Sequence, residues 1–322
     1  MPIQAAEQAA RACAQGECEN AIGLLENAVA HEPHDFRLYY RLGQCYGGGC
    51  RRHALVHPDM AIAYFRQALR LIGTRPGKFR AVILDQFGNT LCHSASLPRT
   101  DALRAAIECH VEAAEIYQAL GMDDDWGRTQ FNLGNSCCDL SEISGEDHWQ
   151  DAVFHYEQSL RVRTREKDPE RHAAALENLG SAYRRLSGGG DGASVNKSIR
   201  CYQRALKVYA GSHPEKSAAL HNNLGNAFLT LPDPDQKAKA RNARRALRHF
   251  DCALRVQSQD RGSRAYGITQ FNRAQAYCGI AQTSHAALLC LEEAFAAFQS
   301  CGEDRYQQLV KAQLERIGRE GS

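Results

Sequence analysis

Four residues in one short stretch have the types and spacing of a tetrahedral zinc site: Cys45, Cys50, His53 and His57, with Gly47-Gly48-Gly49 between them to let the chain fold round an ion. The competing reading makes Cys45 a small buried residue and the histidines loop residues, and no metal or cofactor is then needed. Cys137 and Cys138 make a weaker metal pair, because neighbours on a helix point in different directions. Thirteen cysteines in 322 residues do not concentrate as a disulfide scaffold would, and Cys201 and Cys252 stand where a helix packs a small apolar side chain. Reduced core thiols are expected. No Gly-x-Ser-x-Gly, phosphate-binding glycine loop, dinucleotide fingerprint or His-Glu-x-x-His occurs, so an enzyme is not expected. A hydrolase built on cysteine and histidine stays the third-ranked alternative.

Charge gives a second set of candidates. Lys237, Arg241 and Arg245 follow one another at four-residue spacing, joined by Lys239, Arg244 and Arg248, and residues 237–248 contain no acid. Such a stripe suits an acidic protein or a phosphate backbone, or it is a solvated helix extension. Over the whole chain 39 lysines and arginines meet 37 aspartates and glutamates, a balance that calls for neither nucleic acid nor a membrane as partner. The stripe therefore reads first as a solvated helix extension and, as a binding surface, would suit an acidic partner protein. The start, Met1-Pro2-Ile3-Gln4-Ala5, has no basic segment leading into an apolar one, and nowhere do eighteen apolar residues run together. A cytoplasmic protein is expected.

The elements that must position these residues come from an internal repeat. Asn132-Leu133-Gly134-Asn135 returns as Asn178-Leu179-Gly180-Ser181 and as Asn223-Leu224-Gly225-Asn226. With Gly43 as the frame, equivalent positions are Gly88, Gly134, Gly180, Gly225 and Ala274, at steps of 45, 46, 46, 45 and 49. A second phrase follows each, small residues seven apart with a bulky one between: Phe65, His110, Tyr156, Tyr202, Phe250 and Leu291. Small residues let two helices approach, and the bulky side chain fills the gap between them. The pattern predicts helical hairpins throughout. Asp168-Pro169-Glu170 and His213-Pro214-Glu215 read as helix starts, with aspartate a good cap and histidine a poor one. Near the end Leu309, Leu314 and Ile317 fall on one side of a predicted capping helix.

On these phrases the chain resembles tetratricopeptide-repeat proteins, with about six repeats over residues 2 to 300. Its long repeats are most similar to bacterial arrays associated with caspase-like domains, and to kinesin light chain and other asparagine-ladder arrays. The fold implied is all-α: a right-handed superhelical α-solenoid of about six hairpins plus a C-terminal capping helix. One domain over 1–322 is expected, with repeats over 2–35, 36–75, 76–121, 124–167, 168–211, 213–258 and 263–300 and the cap over 303–319. The first two share a 34-residue step.

The resemblance places the first helix of each hairpin on a concave, ligand-facing surface. Carried over, that puts Arg41, Asn132, Asn178, Asn223 and Asn272 two residues before the frame position, and Asn89, Asn135 and Asn226 one after. A carboxamide has a donor and an acceptor and can pair with a peptide backbone, so the series reads as a ladder for an extended segment of another protein. It equally reads as a set of contacts between neighbouring helices. Arg37, Arg128 and Arg184 would meet carboxylates or phosphates, and Tyr40, Phe131 and Phe271 would supply apolar anchors. Asp85, Asp139 and Glu177 lie on the same surface and would compete for the arginines. The function implied is a non-enzymatic interaction scaffold. The alternative is a structural or regulatory module that docks a folded partner, or itself, through outer helices and long loops.

Overall fold

The computed structural model describes residues 2–47, 57–186, 188, 190–280 and 284–320, apart from the side chains of 2–6, 284 and 318–320. The chain divides into two compact units, Met1–Arg163 and Thr164–Ser322. Every regular element among the described residues is an α-helix. In the first unit α1 (Pro2–Gln15) pairs with α2 (Cys18–His31), and α3 (Phe36–Tyr46) with α4 (Pro58–Ile72). There too α5 (Lys78–Leu91) pairs with α6 (Arg99–Ala119), and α7 (Asp123–Ser144) with α8 (Trp149–Val162). The second unit pairs α9 (Pro169–Leu186) with α10 (Gly192–Tyr209), α11 (Pro214–Leu229) with α12 (Gln236–Gln257), and α13 (Arg264–Cys278) with α14 (Ser284–Ser300), then adds α15 (Asp304–Glu320). The hairpins from α3/α4 onward carry the six frame positions, and α1/α2 is a further hairpin in front of them.

What closes a hairpin is a ring seated on the frame glycine of its partner helix. A Cβ placed at Gly43 would lie 2.7 Å from the Phe65 ring, at Gly88 2.7 Å from His110, at Gly134 2.6 Å from Tyr156 and at Gly180 2.8 Å from Tyr202. At Gly225 it would overlap Phe250. Real Cβ contacts are longer, so only glycine admits the ring, and all five rings are buried. In the α13/α14 hairpin the contact moves. Ala274 and Leu291 are both buried there, and the ring of Phe298 sits instead on Gly267, seven residues before the frame position.

Helix starts follow the local chemistry. The side chains of Asp35, Asp168, Asp191, Asp235 and Ser263 accept backbone N–H groups of the first turns of α3, α9, α10, α12 and α13. His213 makes no such bond; Pro214 opens α11 behind it, and the His213 ring lies 3.1 Å from Glu170 instead. Gly145 ends α7 at φ 75°, a left-handed conformation that a side chain would strain. On α15, Leu314 and Ile317 pack against α14 as expected, but Leu309 is 48% exposed and Val310 is buried in its place. One residue along a helix turns the side chain by about 100°, which is enough to exchange the two.

Two glycines separate the ring contact from helix propensity. Gly23, inside α2, has nothing within 4 Å of an added Cβ, so Gly23→Ala should raise stability by about 0.5–1 kcal/mol. Gly134→Ala should lower it by about 1–3 kcal/mol, because Tyr156 has nowhere to go. Urea midpoints at unchanged slope measure both, and shifts of the same sign would show that the ring does not set the cost.

Candidate functional site

The first helices of successive hairpins, from α3 to α13, carry polar side chains at two fixed offsets, two before the frame position and one after it. Two before it, the side chain reaches back to the residue three before the frame position on the preceding first helix. Gln86 hydrogen-bonds Tyr40, Asn132 Nδ2 donates to Asp85 Oδ1 at 3.3 Å, and Asn272 Nδ2 donates to Asn222 Oδ1 at 3.0 Å. These bonds tie α5 to α3, α7 to α5 and α13 to α11. One after the frame position, the side chain serves the hydroxyl of the ring on the glycine. Tyr156 Oη donates to Asn135 Oδ1 at 2.7 Å, and Ser181 Oγ lies 2.9 Å from Tyr202 Oη.

Helix α11 departs from both rules. Asn223 should reach back to Glu177, yet no hydrogen bond joins them; burial pushes the Glu177 carboxyl up and Lys216 pulls it down. Asn226 follows Gly225, whose ring is Phe250 and has no hydroxyl to serve. Both carboxamides are half-buried and their side chains make no hydrogen bond within the described chain. Asn89, the corresponding residue on α5, is exposed and likewise has no bond, since its ring is His110. The sequence carried this signal in the identity of the ring, phenylalanine or histidine where the others are tyrosine.

In the first unit the centre of the face is a carboxylate, fully buried at Asp85. It accepts from Arg128 Nη1, from Thr129 Oγ1 at 2.9 Å and from Asn132, and His110 Nδ1 stands 3.5 Å away. Burial pushes the Asp85 pKa up, but His110 and Arg128 outweigh it and hold the carboxyl below its usual range. Arg128 also holds Asp125 at 2.7 Å. Arg128 and Asn132, both expected to meet a ligand, are thus engaged inside the chain.

The other expected residues are distributed as follows. Arg37 is clamped to Asp35 at 2.9 Å, at the start of its own helix. Arg41 is exposed, donates to Gln44 Oε1 at 2.9 Å, and lies 5.8 Å over the Tyr40 ring, while Gln44 donates to Tyr40 Oη at 2.8 Å. Phe131 is half-buried between Tyr156, at 5.7 Å, and the Arg163 guanidinium, at 4.8 Å. Arg184 reaches the Tyr202 hydroxyl, Phe271 packs into the apolar cluster of the last hairpin, and Asn178 is half-buried on α9. Asp139 pairs with Arg99 at 3.5 Å and not with a groove arginine. Of the zinc candidates, Cys45 is buried with its Sγ 3.3 Å from that of Cys13, and His57 precedes α4 with its ring 6.2 Å from Tyr46. Cys50 and His53 lie outside the described residues.

Solved structures decide the fold. The kinesin light chain TPR-like repeats of Podosopora anserina superpose with a TM-score of 0.53 at 15% identity, over 70% of this chain and 99% of that one. This chain has the tetratricopeptide-repeat fold. Pseudomonas aeruginosa pilF is similar with a TM-score of 0.54 at 16% identity, over 84% of this chain and 96% of its own. The apo form of RapI gives 0.56 at 14% identity, over 88% and 97%. No protein-family model matches the chain, and no curated protein does. Among the described residues no helix is long and apolar enough to cross a membrane.

Beside Asn222 this tetratricopeptide array carries a histidine pair: His221 on α11 and His249 on α12 meet with their Nδ1 atoms 3.0 Å apart, and Phe228 stacks on His249 at 5.4 Å. Burial, then His221, Arg248 and Arg245, lower the His249 pKa to about 4, and burial lowers that of His221 too. Between the ordinary value of 6.5 and about 4 the unfolded chain therefore binds more protons than the folded one, so stability falls as pH drops through that window. With solvent screening of the half-buried ring allowed for, the loss should be about 1–2 kcal/mol. His249→Gln should flatten the pH profile of the urea midpoint over that range; an unchanged slope would show that the pair does not titrate this way.

The Asp85 centre gives an ordered expectation. Asp85→Asn should cost about 2–3 kcal/mol, because Arg128 and Thr129 lose a buried acceptor. Asn132→Ala, which removes one bond, should cost about 1 kcal/mol. Thermal or urea unfolding checks the order, and a costlier Asn132 variant would refute it.

Proposed function

We propose that the chain is a non-enzymatic protein-interaction scaffold that holds an extended segment of a partner protein on the first-helix face of its second unit, with Asn223 and Asn226 as backbone ligands. The observation that carries this reading is the pair of half-buried carboxamides on α11 that neither bridge to a neighbouring helix nor serve a ring hydroxyl. A half-hidden amide without a partner loses hydration and gains nothing in return, so a peptide amide and carbonyl beside it would be favourable. The two residues are three apart, one helical turn, and lie along a single face of α11. A ligand read through its backbone tolerates varied side chains, which suits a scaffold.

The test uses a display library of peptides about fifteen residues long, from which binders to the intact chain are taken to fluorescence titration. Asn223→Ala and Asn226→Ala should each weaken binding by roughly 0.5–1.5 kcal/mol with melting temperature unchanged. Phe250→Tyr should weaken it as Asn226→Ala does, because the new hydroxyl would claim Asn226 as Tyr156 claims Asn135. Asn272→Ala should do the opposite, lowering the melting temperature and leaving affinity alone. Intact affinity in the Asn223→Ala, Asn226→Ala and Phe250→Tyr variants together would remove the proposal.

A further inference from the structure

The near-neutral total charge is the sum of two unlike units. Residues 1–163 hold 15 lysines and arginines against 21 acids, a net of −6; residues 164–322 hold 24 against 16, a net of +8. The second unit's excess is concentrated on α10 and α12, two of its three second helices. Helix α10 contains no acid at all, and exposes Lys197, Arg200, Arg204 and Lys207. Helix α12 contains one acid, Asp251, already paired with Arg273 at 3.1 Å, and exposes Lys237, Arg241, Arg244 and Arg248. None of these eight cations lies within ion-pair distance of a carboxylate among the described residues.

Helical geometry turns each set into a ridge. At about 100° and 1.5 Å per residue, each set of four falls within about 80° of arc and runs roughly 15 Å along its helix. Arg245, expected in the stripe, leaves it to lie 4.1 Å over the Phe228 ring, and Arg244 takes its place on the ridge. Both helices pack against α11, and Gly192 at the start of α10 adjoins Pro232 in the loop that leads into α12, so the two ridges begin side by side. The acids of that loop are engaged: Asp235 caps α12, and Asp233 accepts from Asn242 at 2.8 Å.

We infer that the α10 and α12 ridges bind the phosphate backbone of a double-stranded nucleic acid, without reading its bases. Holding four like charges in line on each helix, of which only Lys197 has a partner among the described residues, its Nζ lying 5.0 Å over the Tyr183 ring, costs self-repulsion, which a polyanion relieves by releasing its own counterions. Five of the eight are arginines, whose planar fork pairs with phosphate oxygens two at a time. None of the exposed large apolar side chains, from Met60 to Leu309, lies on α10 or α12. The ridges thus lack the buried anchors of a protein interface, the apolar face that enters a membrane, and the aromatic platforms that stack single-stranded bases.

The probe is a fluorescein-labelled duplex of mixed sequence, about 25 base pairs long, titrated with the full chain at salt from about 50 to 200 mM. Affinity should fall steeply with salt, with a log–log slope of about −4 or steeper. Arg241→Glu, Arg244→Glu and Arg248→Glu combined should weaken binding at least about tenfold and flatten that slope by about 3 units, and Arg200→Glu with Arg204→Glu should act in the same direction. These side chains are exposed, so the melting temperature should hold; reversing Arg66 and Arg70 on α4 should change nothing. Asn223→Ala should bind the duplex normally, which separates this surface from the peptide site. No anisotropy change at the lowest salt, or full binding by the α12 triple variant, would overturn the proposal. So would competition by poly-glutamate as strong as that by unlabelled duplex at equal charge, which would assign the ridges to an acidic protein.

Discussion

A ring seated on a bare helix backbone is the contact on which the rest of this molecule depends. Glycine at Gly43, Gly88, Gly134, Gly180 and Gly225 admits a ring to distances that a Cβ would forbid, and that brings the two helices of each of these five hairpins together. With the rings in place, the alanines around them, such as Ala61, Ala106, Ala152 and Ala246, are completely buried. The contact is tolerant of chemistry and strict about space: phenylalanine, histidine and tyrosine all occupy it. Where one repeat gives up the glycine, at Ala274, a ring is recovered two turns away on Gly267.

The chemistry of the ring then sets what is left for a ligand. A tyrosine brings a hydroxyl into the interior that needs a partner, and Asn135 and Ser181 supply it. Phenylalanine brings none, and the next residue, Asn226, is left uncommitted. The choice of one core atom in a second helix thereby decides the availability of a polar group on the first. A similar economy runs along the row two residues before the frame position, where Gln86, Asn132 and Asn272 bind neighbouring helices together. Asparagines in such a row serve the fold by default, and those at a gap in the pattern can serve recognition.

The two faces of the second unit differ in how they could bind. The first-helix face offers a few directional hydrogen bonds at half-buried positions; α10 and α12 offer many solvated charges and no exposed large apolar side chain. One suits a specific backbone geometry, the other a long polymer of repeated charge. Neither α6 nor α14 resembles α10 and α12, since α6 exposes Asp101, Glu108 and Glu115 and α14 exposes Glu292 and Glu293. Opposite surface charge on the two units keeps the whole chain near neutral while leaving the basic surface intact.

By itself the sequence determined the hairpins and their frame, because small and bulky residues recurring at constant spacing have few ways to pack; that the ring seats on the frame glycine, and that Phe298 on Gly267 replaces Leu291 in the last hairpin, came from the structure. The helix starts at Asp168 and Pro214 were equally legible, since capping is a matter of a few adjacent residues. It also picked out the polar rows two before and one after the frame position. What it did not decide was which members of those rows are occupied. Asp85, Arg128, Thr129 and Asn132 meet from two helices more than forty residues apart in sequence; the sequence offered Asp85 as a competitor for the arginines, and only the fold shows that it takes Arg128 and Asn132 while Asp139 goes to Arg99. Nor could it show that Arg245 turns to Phe228 and leaves Arg244 on the ridge, or that Val310 displaces Leu309, because a rotation of one residue about a helix is fixed by the neighbour it packs against. Local spacing selects the elements, whereas hydrogen-bond and charge partners are chosen in three dimensions, and a polar side chain is available to a ligand only after the fold has taken what it needs.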